Sequence, residues 1–254
     1  MSQDLQKASF WRRISAYLFD SILLIILAVG VAFLLSTLLD FDGAVEKRDA
    51  LRESYETSYG VDFDIEFEDY QKLTDEQKKL YDDSYAKFAT DPEANRLGSL
   101  IVNLTLIIIT FSVLIPSLLL ELIVPMLLGN GQTLGKKIFG IAVMRTDSVK
   151  ISRFQLFIRA ILGKYTIETM VPVFLVLLLF FNVMPLFCIA MLAIIFILQV
   201  AFTLFSYLHT PIHELISGTV TVEFSSQMIF NSAEEMLAYK KKLHAEDTKR
   251  AEYK

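Results

Sequence analysis

The chain has 254 residues, 54% of them hydrophobic, with a net charge of -5 and a single cysteine, Cys188. Its apolar residues are collected into long uncharged blocks, which excludes an ordinary soluble domain. One cysteine excludes an intrachain disulfide framework, and the acidic balance argues against a nucleic-acid-binding surface.

Residues 1–13 are a short polar leader overlapping the first predicted helix, Phe10 to Leu39. Ser21 to Leu39 carries no charge, and a bilayer core of ~30 Å needs roughly 20 apolar residues. The block is longer than a signal-peptide core of about 7–15 residues, and no small-residue cleavage pattern follows, so a retained span is expected. Trp11, Arg12 and Arg13 stand at the expected headgroup level. Asp20 stands where the apolar run begins, a costly place for a carboxylate unless it has a partner or faces water. Arg13, seven residues earlier, falls on the same helical face. This Arg13/Asp20 face is expected to be the centre of the molecule.

Residues 40–98 are the largest polar block, with 17 acidic residues against eight basic ones, a net of -9. Ala44 to Thr57 reads as a charged helix. Val61, Phe63, Ile65 and Phe67 alternate with polar residues and predict a short half-buried strand. Thr74-Asp-Glu-Gln77 is a capping-box signature opening a helix to about Phe88. Asp91-Pro92-Glu93 predicts another helix start, with proline in the first turn.

A second span is predicted from about Leu100 to Leu128, with a kink at Pro116 and Glu121 near its end. The loop from Gly129 to Lys164 holds seven cations against Asp147 alone, a net of +6. Ile138–Arg145 and Val149–Ile151 predict a short hairpin around Thr146-Asp-Ser148. Ser152 to Leu162 places Phe154, Phe157, Ile158 and Ile161 on one side, the pattern of a helix lying in the membrane interface. Lys136, Lys137, Arg153 and Arg159 are then assigned to lipid headgroups. Residues 165–181 and 185–208 predict two more spans, the first at the short limit, with a re-entrant pair as the alternative. Gly218 to Phe224 is strand-like and is expected to join the hairpin. Ser232-Ala-Glu-Glu235 caps a final charged helix in a tail covering 223–254.

Three stretches resemble the RDD family of membrane proteins, named for an Arg and two Asp residues. Arg13 to Asp20 (RISAYLFD) resembles its opening. Gly131 to Val143 (GQTLGKKIFGIAV) resembles its G-x-T-x-G-K block, with Gly131, Thr133, Gly135 and Lys136 at the motif positions. His213 to Val222 (HELISGTVTV) resembles its closing block, with Gly218 and Thr219 matching and Glu214 standing where Asp is usual. The resemblance covers residues 10–222, leaves 40–98 without a counterpart, and implies a transport-like membrane role.

The expected fold is therefore an all-α polytopic membrane protein of about four spans (10–39, 100–128, 165–181 and 185–208), with an acidic helical insertion at 40–98. Cations flanking spans stay in the cytoplasm. Arg12, Arg13 and the basic loop are thus expected inside a plasma membrane, both termini with them, and 40–98 outside. Asp20, Glu121, Glu168, His209, His213 and Glu214 then gather near the cytoplasmic boundary, with Arg13 beside them. Such a cluster can bind monovalent cations or pass protons. The same residues can instead be a structural charge pair and helix-end anchors. His209 and His213 are four apart, but Pro211 between them and the lack of an H-E-x-x-H order argue against a metal. Nothing calls for a cofactor, and no nucleophile–base arrangement points to an enzyme. Ion-coupled transport or permeation, as a homo-oligomer, stands against a scaffold or sensor whose insertion meets a membrane partner.

Overall fold

The structure, a computed structural model, describes residues 6–205 and 210–252, with the side chains of 247 and 249–252 left aside. In chain order it has α1 (Phe10–Leu38), α2 (Phe41–Tyr59), α3 (Phe67–Lys72), α4 (Asp75–Thr90), α5 (Pro92–Leu128), α6 (Leu134–Ile138), β1 (Ile141–Arg145), α7 (Arg153–Phe180), α8 (Pro185–Phe205), α9 (Ile212–Ser217), β2 (Thr219–Glu223) and α10 (Ala233–Glu252). α1, α5, α7 and α8 are long and apolar enough to cross a membrane. Their outer surfaces are apolar: Phe33, Phe180, Leu186 and Phe205 are each more than three-quarters exposed, as befits helices whose solvent is hydrocarbon. The chain divides into two compact units, 29–112 and the remainder.

In the larger unit, two spans carry π-helical stretches, Leu118–Ile123 in α5 and Ile158–Met170 in α7. Proline has no N–H to give the preceding turn. Just beyond Pro116 the hydrogen bonds slip to a five-residue spacing, as where the Val124 N–H donates to the Leu119 carbonyl. The irregularity expected at Pro116 is thus a widened turn. The third span differs from expectation. Ser152 to Leu162 is no separate interfacial helix: Ser152 and Gln155 form a capping box, and the helix they open continues to Phe180. It runs through Gly163 and Pro172 without ending, and this lengthens a span that otherwise sits at the short limit. Phe181–Met184 turns the chain into α8, whose expected end at Leu208 lies outside the described residues.

β1 and β2 pair antiparallel, with Ile141 opposite Glu223 and Arg145 opposite Thr219. The strand expected at 218–224 therefore joins the basic loop. The expected hairpin is reduced to one bridge, Met144 with Lys150, because on that edge of β1 the Val143 N–H donates to the Asn130 carbonyl at 3.0 Å instead. Ala142, Met144, Val220 and Val222 are fully buried on one face of this ribbon. On the N-terminal side, Ala8 and Ala16 pack with Ile141. In α10, Ser232 Oγ accepts from Glu235 N at 3.2 Å, and Glu235 accepts from Asn231 N at 2.9 Å.

In the unit 29–112, the capping box at Thr74 and Gln77 opens α4 as expected. Asp91 Oδ1 accepts from the N–H groups of Glu93 (2.7 Å) and Ala94 (3.0 Å), which starts α5 at Pro92. The alternation at Val61–Phe67 does not make a strand. No neighbouring strand is there to pair with it, and the segment is an irregular turn into α3. Its apolar residues are used differently: the Phe63 ring meets Tyr81, Tyr85 and Phe88, with centroids 5.4–5.8 Å apart. That aromatic cluster gives the insertion a core of its own.

Candidate functional site

The site is built where short polar elements press against helix ends. α9 runs only from Ile212 to Ser217, after Pro211 and before Gly218, whose φ of 62° closes it. It packs on the π stretch of α7 at Gly163. A Cβ there would stand 2.5 Å from His213 Cβ, so only glycine permits the approach. α6 packs likewise on α1 at Gly135, where a Cβ would collide with the Ala16 carbonyl. These two close approaches set His213, Glu214 and Lys136 among the ends of the spans.

Glu214 is 2% exposed and carries the densest bonding. Its Oε2 accepts from Arg13 Nη2 at 3.2 Å. Its Oε1 accepts from Arg159 Nη2 at 3.2 Å and from the Thr221 hydroxyl. Burial pushes the Glu214 carboxyl up, but Arg159 and Arg13 outweigh this and hold it well below the usual carboxylate range. Arg159 also donates to Thr219 Oγ1 at 3.0 Å and meets His213 Nε2 at 3.2 Å. A guanidinium has only donors, so Nε2 accepts, and the ring proton lies on Nδ1. That Nδ1 donates to Glu168, 2.8 Å from Oε2. Burial, then the Arg159 charge, lowers His213 to about 4, so the imidazole is neutral near pH 7. Gln199, mid-span in α8, donates to Glu168 at 3.2 Å. Such an interhelical bond is what a polar residue at that depth is expected to make.

Asp20 sits apart from these ion pairs. Its Oδ2 accepts from Thr133 Oγ1 at 2.5 Å, and its Oδ1 from the Gly135 N–H at 2.8 Å. Thr133 also caps α6 by accepting from Lys136 N. Gly131, with φ of 59°, turns the chain into this block beside Val143. The motif residues Gly131, Thr133 and Gly135 therefore form a cradle for a carboxylate on α1, while Gly218 and Thr219 close α9 and bind Arg159.

Several expectations change. Arg13 and Asp20 do not pair: Arg13 reaches Glu214, and Asp20 has no ion pair within 4.0 Å among the described residues. One helical face brings two side chains near each other, but stronger partners arrive from elsewhere. Arg159 is not at the headgroups. It is 3% exposed, because α9 covers that side of α7. Lys136 is likewise buried, at 7% exposure, whereas Lys137 and Arg153 are exposed. Glu121 pairs with Lys164 at 2.5 Å. His209 lies outside the described residues. Arg159, Lys164 and Thr221 are parts of the site that the sequence reading did not place there, whereas Glu168 was expected near it. One signal was available for Arg159: Ala160 and Gly163 are small neighbours that let another element approach.

A cavity of about 580 Å³ opens onto this network. Five cationic side chains and three carboxylates line it, so its charge is positive. Phe10, Ile14, Tyr17 and Leu204 supply apolar wall. Lys136 lines it too. Burial, then Arg159 and Lys164, push Lys136 down to about 7.

Four apolar helices enclosing buried charges at their ends define a multi-pass membrane protein. The chain matches the RDD family over residues 7–218 and belongs to that family. The matched stretch contains Arg13, Asp20, the Gly131–Lys136 block and Glu214. No curated protein and no solved structure is detectably similar to the chain.

Proposed function

We propose that this protein moves small ions across the plasma membrane in a coupled exchange, with the charged cavity as its ion-handling vestibule. In this reading the protein is not an enzyme. The cations around α1, α6 and α7 favour a vestibule on the cytoplasmic side, with both termini there and 40–98 outside. The observation that carries the reading is the incomplete compensation of the network. Glu214 and Glu121 each face a cation, whereas Asp20 is held only by the neutral donors Thr133 and Gly135 beside the cavity, and Glu168 only by neutral His213 and Gln199. A charge without an ionic partner at such depth is costly to keep and marks ion pathways.

Reconstituted protein in proteoliposomes holding an internal pH dye tests it. Pulses of Na⁺, K⁺ or Li⁺ should move internal pH, and Asp20→Asn should abolish the response while folding as well as wild type. A stable, reconstituted protein without flux would remove the transport reading. The second reading, a scaffold or sensor, is favoured by the insertion's separate aromatic core. Deleting 44–90 should then release a co-purifying membrane partner.

A further inference from the structure

Lys136 has no evident reason to be where it is. It is 93% buried by residue surface, lines the cavity, and among the described residues makes no side-chain ion pair within 4.0 Å and no side-chain hydrogen bond. Arg159 and Lys164 face it with like charge, while Asp20 and Glu121 offset them from a distance. A buried ammonium so placed costs several kcal/mol unless something repays its desolvation. Three other cations of the vestibule are committed. Arg159 holds Glu214 and Thr219, Arg13 holds Glu214, and Lys164 holds Glu121.

We propose that the vestibule binds an amphiphilic organic anion, its phosphate or carboxylate seated on the Lys136 ammonium and its apolar part lying along Phe10, Ile14, Tyr17 and Leu204. The charge supports this. Arg13, Arg159 and Lys164 face Glu214 and Glu121, which leaves the Lys136 ammonium without a carboxylate within 4.0 Å among the described residues. The shape supports it as well: 580 Å³ is far more than an unhydrated metal ion needs and matches the usual range for small organic ligands. The satisfied carboxylates speak against a bare cation as occupant, since Glu214 and Glu121 already face cations and Glu168 already accepts from His213 and Gln199. The proposal rests on the vestibule being a ligand site, and does not require that the ligand be transported.

The test uses the full chain in a neutral maltoside detergent, with dodecyl phosphate and inorganic phosphate as probes. Binding is read from the rise in unfolding temperature across a concentration series. Dodecyl phosphate should bind at least ~10-fold more tightly than inorganic phosphate, because only it uses the apolar wall. Lys136→Met should weaken it by ~10-fold or more, the usual loss when a charge-assisted bond goes. Lys136→Arg should keep most of the affinity. Lys137→Met, an exposed neighbour, should bind as wild type. Leu204→Trp should block binding by filling the wall, leaving every charge in place. Dodecyl phosphate binding equally to wild type and Lys136→Met, or to no variant at all, overturns the proposal. Nanodiscs then separate the sources: competition by phosphatidylglycerol but not phosphatidylcholine assigns the occupant to the bilayer, and competition by a soluble short-chain phosphate ester assigns it to the aqueous side. Anion binding without any flux would leave this site standing while removing the transport reading.

Discussion

Glu214→Gln is the most informative single change to the network. The carboxylate is 2% exposed and faces two guanidiniums, each 3.2 Å away. Glutamine keeps the length and can still accept from Thr221, but its NH2 turns a donor toward Arg13 or Arg159. Arg159 then retains only neutral partners, Thr219 and His213. Removing one member of a buried pair leaves an uncompensated charge, at a cost of about 3–5 kcal/mol. For a chain of this length that corresponds to a fall in Tm on the order of 10 °C. Arg159→Met should cost less, because Arg13 still neutralises Glu214. The double variant should recover at least ~2 kcal/mol relative to the sum of the singles, as expected for directly coupled residues. Cys188 is the only cysteine and is fully buried, so a thiol-reactive dye reports unfolding without added labels. Simple additivity of the two single changes, or a Glu214→Gln protein as stable as wild type, would refute the account of a mutually dependent buried network.

Three further outcomes are expected. Gly163→Ala would stabilise an ordinary helix by about 1 kcal/mol; here it should destabilise by ~1–3 kcal/mol, because the new Cβ meets His213, and the sign of the Tm change decides between the two. Stability should fall on acidification. His213 binds its proton only near pH 4 in the fold but near 6.5 when unfolded, so between those values the unfolded chain binds more protons and is favoured, by up to about 3 kcal/mol at pH 4. The depressed Glu214 carboxyl extends the loss below its ordinary value of 4.5. His213→Asn should flatten the loss between pH 6.5 and 4; parallel Tm curves for mutant and wild type would rule the assignment out. Finally, Phe63→Ala should loosen the insertion by about 2 kcal/mol through lost ring packing, seen as faster protease cleavage within 61–66.

The features legible in the sequence are those set by nearby residues. Four apolar blocks give four candidate spans, Thr74 and Ser232 cap the helices that follow them, and Pro92 opens α5. The period-two run at 219–223 becomes β2 because β1 offers an edge, whereas the similar run at 61–67 has no such edge and stays irregular. The features that escaped depend on partners far along the chain. Arg159 has the spacing of a headgroup anchor, and its burial follows from Glu214, 55 residues later. Arg13 shares a face with Asp20, yet its partner lies 201 residues away. Glu168 resembles a helix-end anchor until His213 is set beside it by the glycine at 163. Helical periodicity says which side chains share a face; it does not say what will cover that face.

The order of residues in the network has a consequence for biogenesis. Arg13 and Arg159 are synthesised and delivered to the membrane boundary well before Glu214 exists. At about 5–20 residues per second, the nascent chain carries both guanidiniums without their common counter-ion for seconds after Arg159 emerges. Only when α9 docks does the charge balance close, and with it the seam between the first helix and the last polar turn. A chain cut short before Glu214 keeps all four apolar helices yet loses the anion that Arg13 and Arg159 share. Such a product therefore differs from the full chain by two guanidiniums left without their carboxylate.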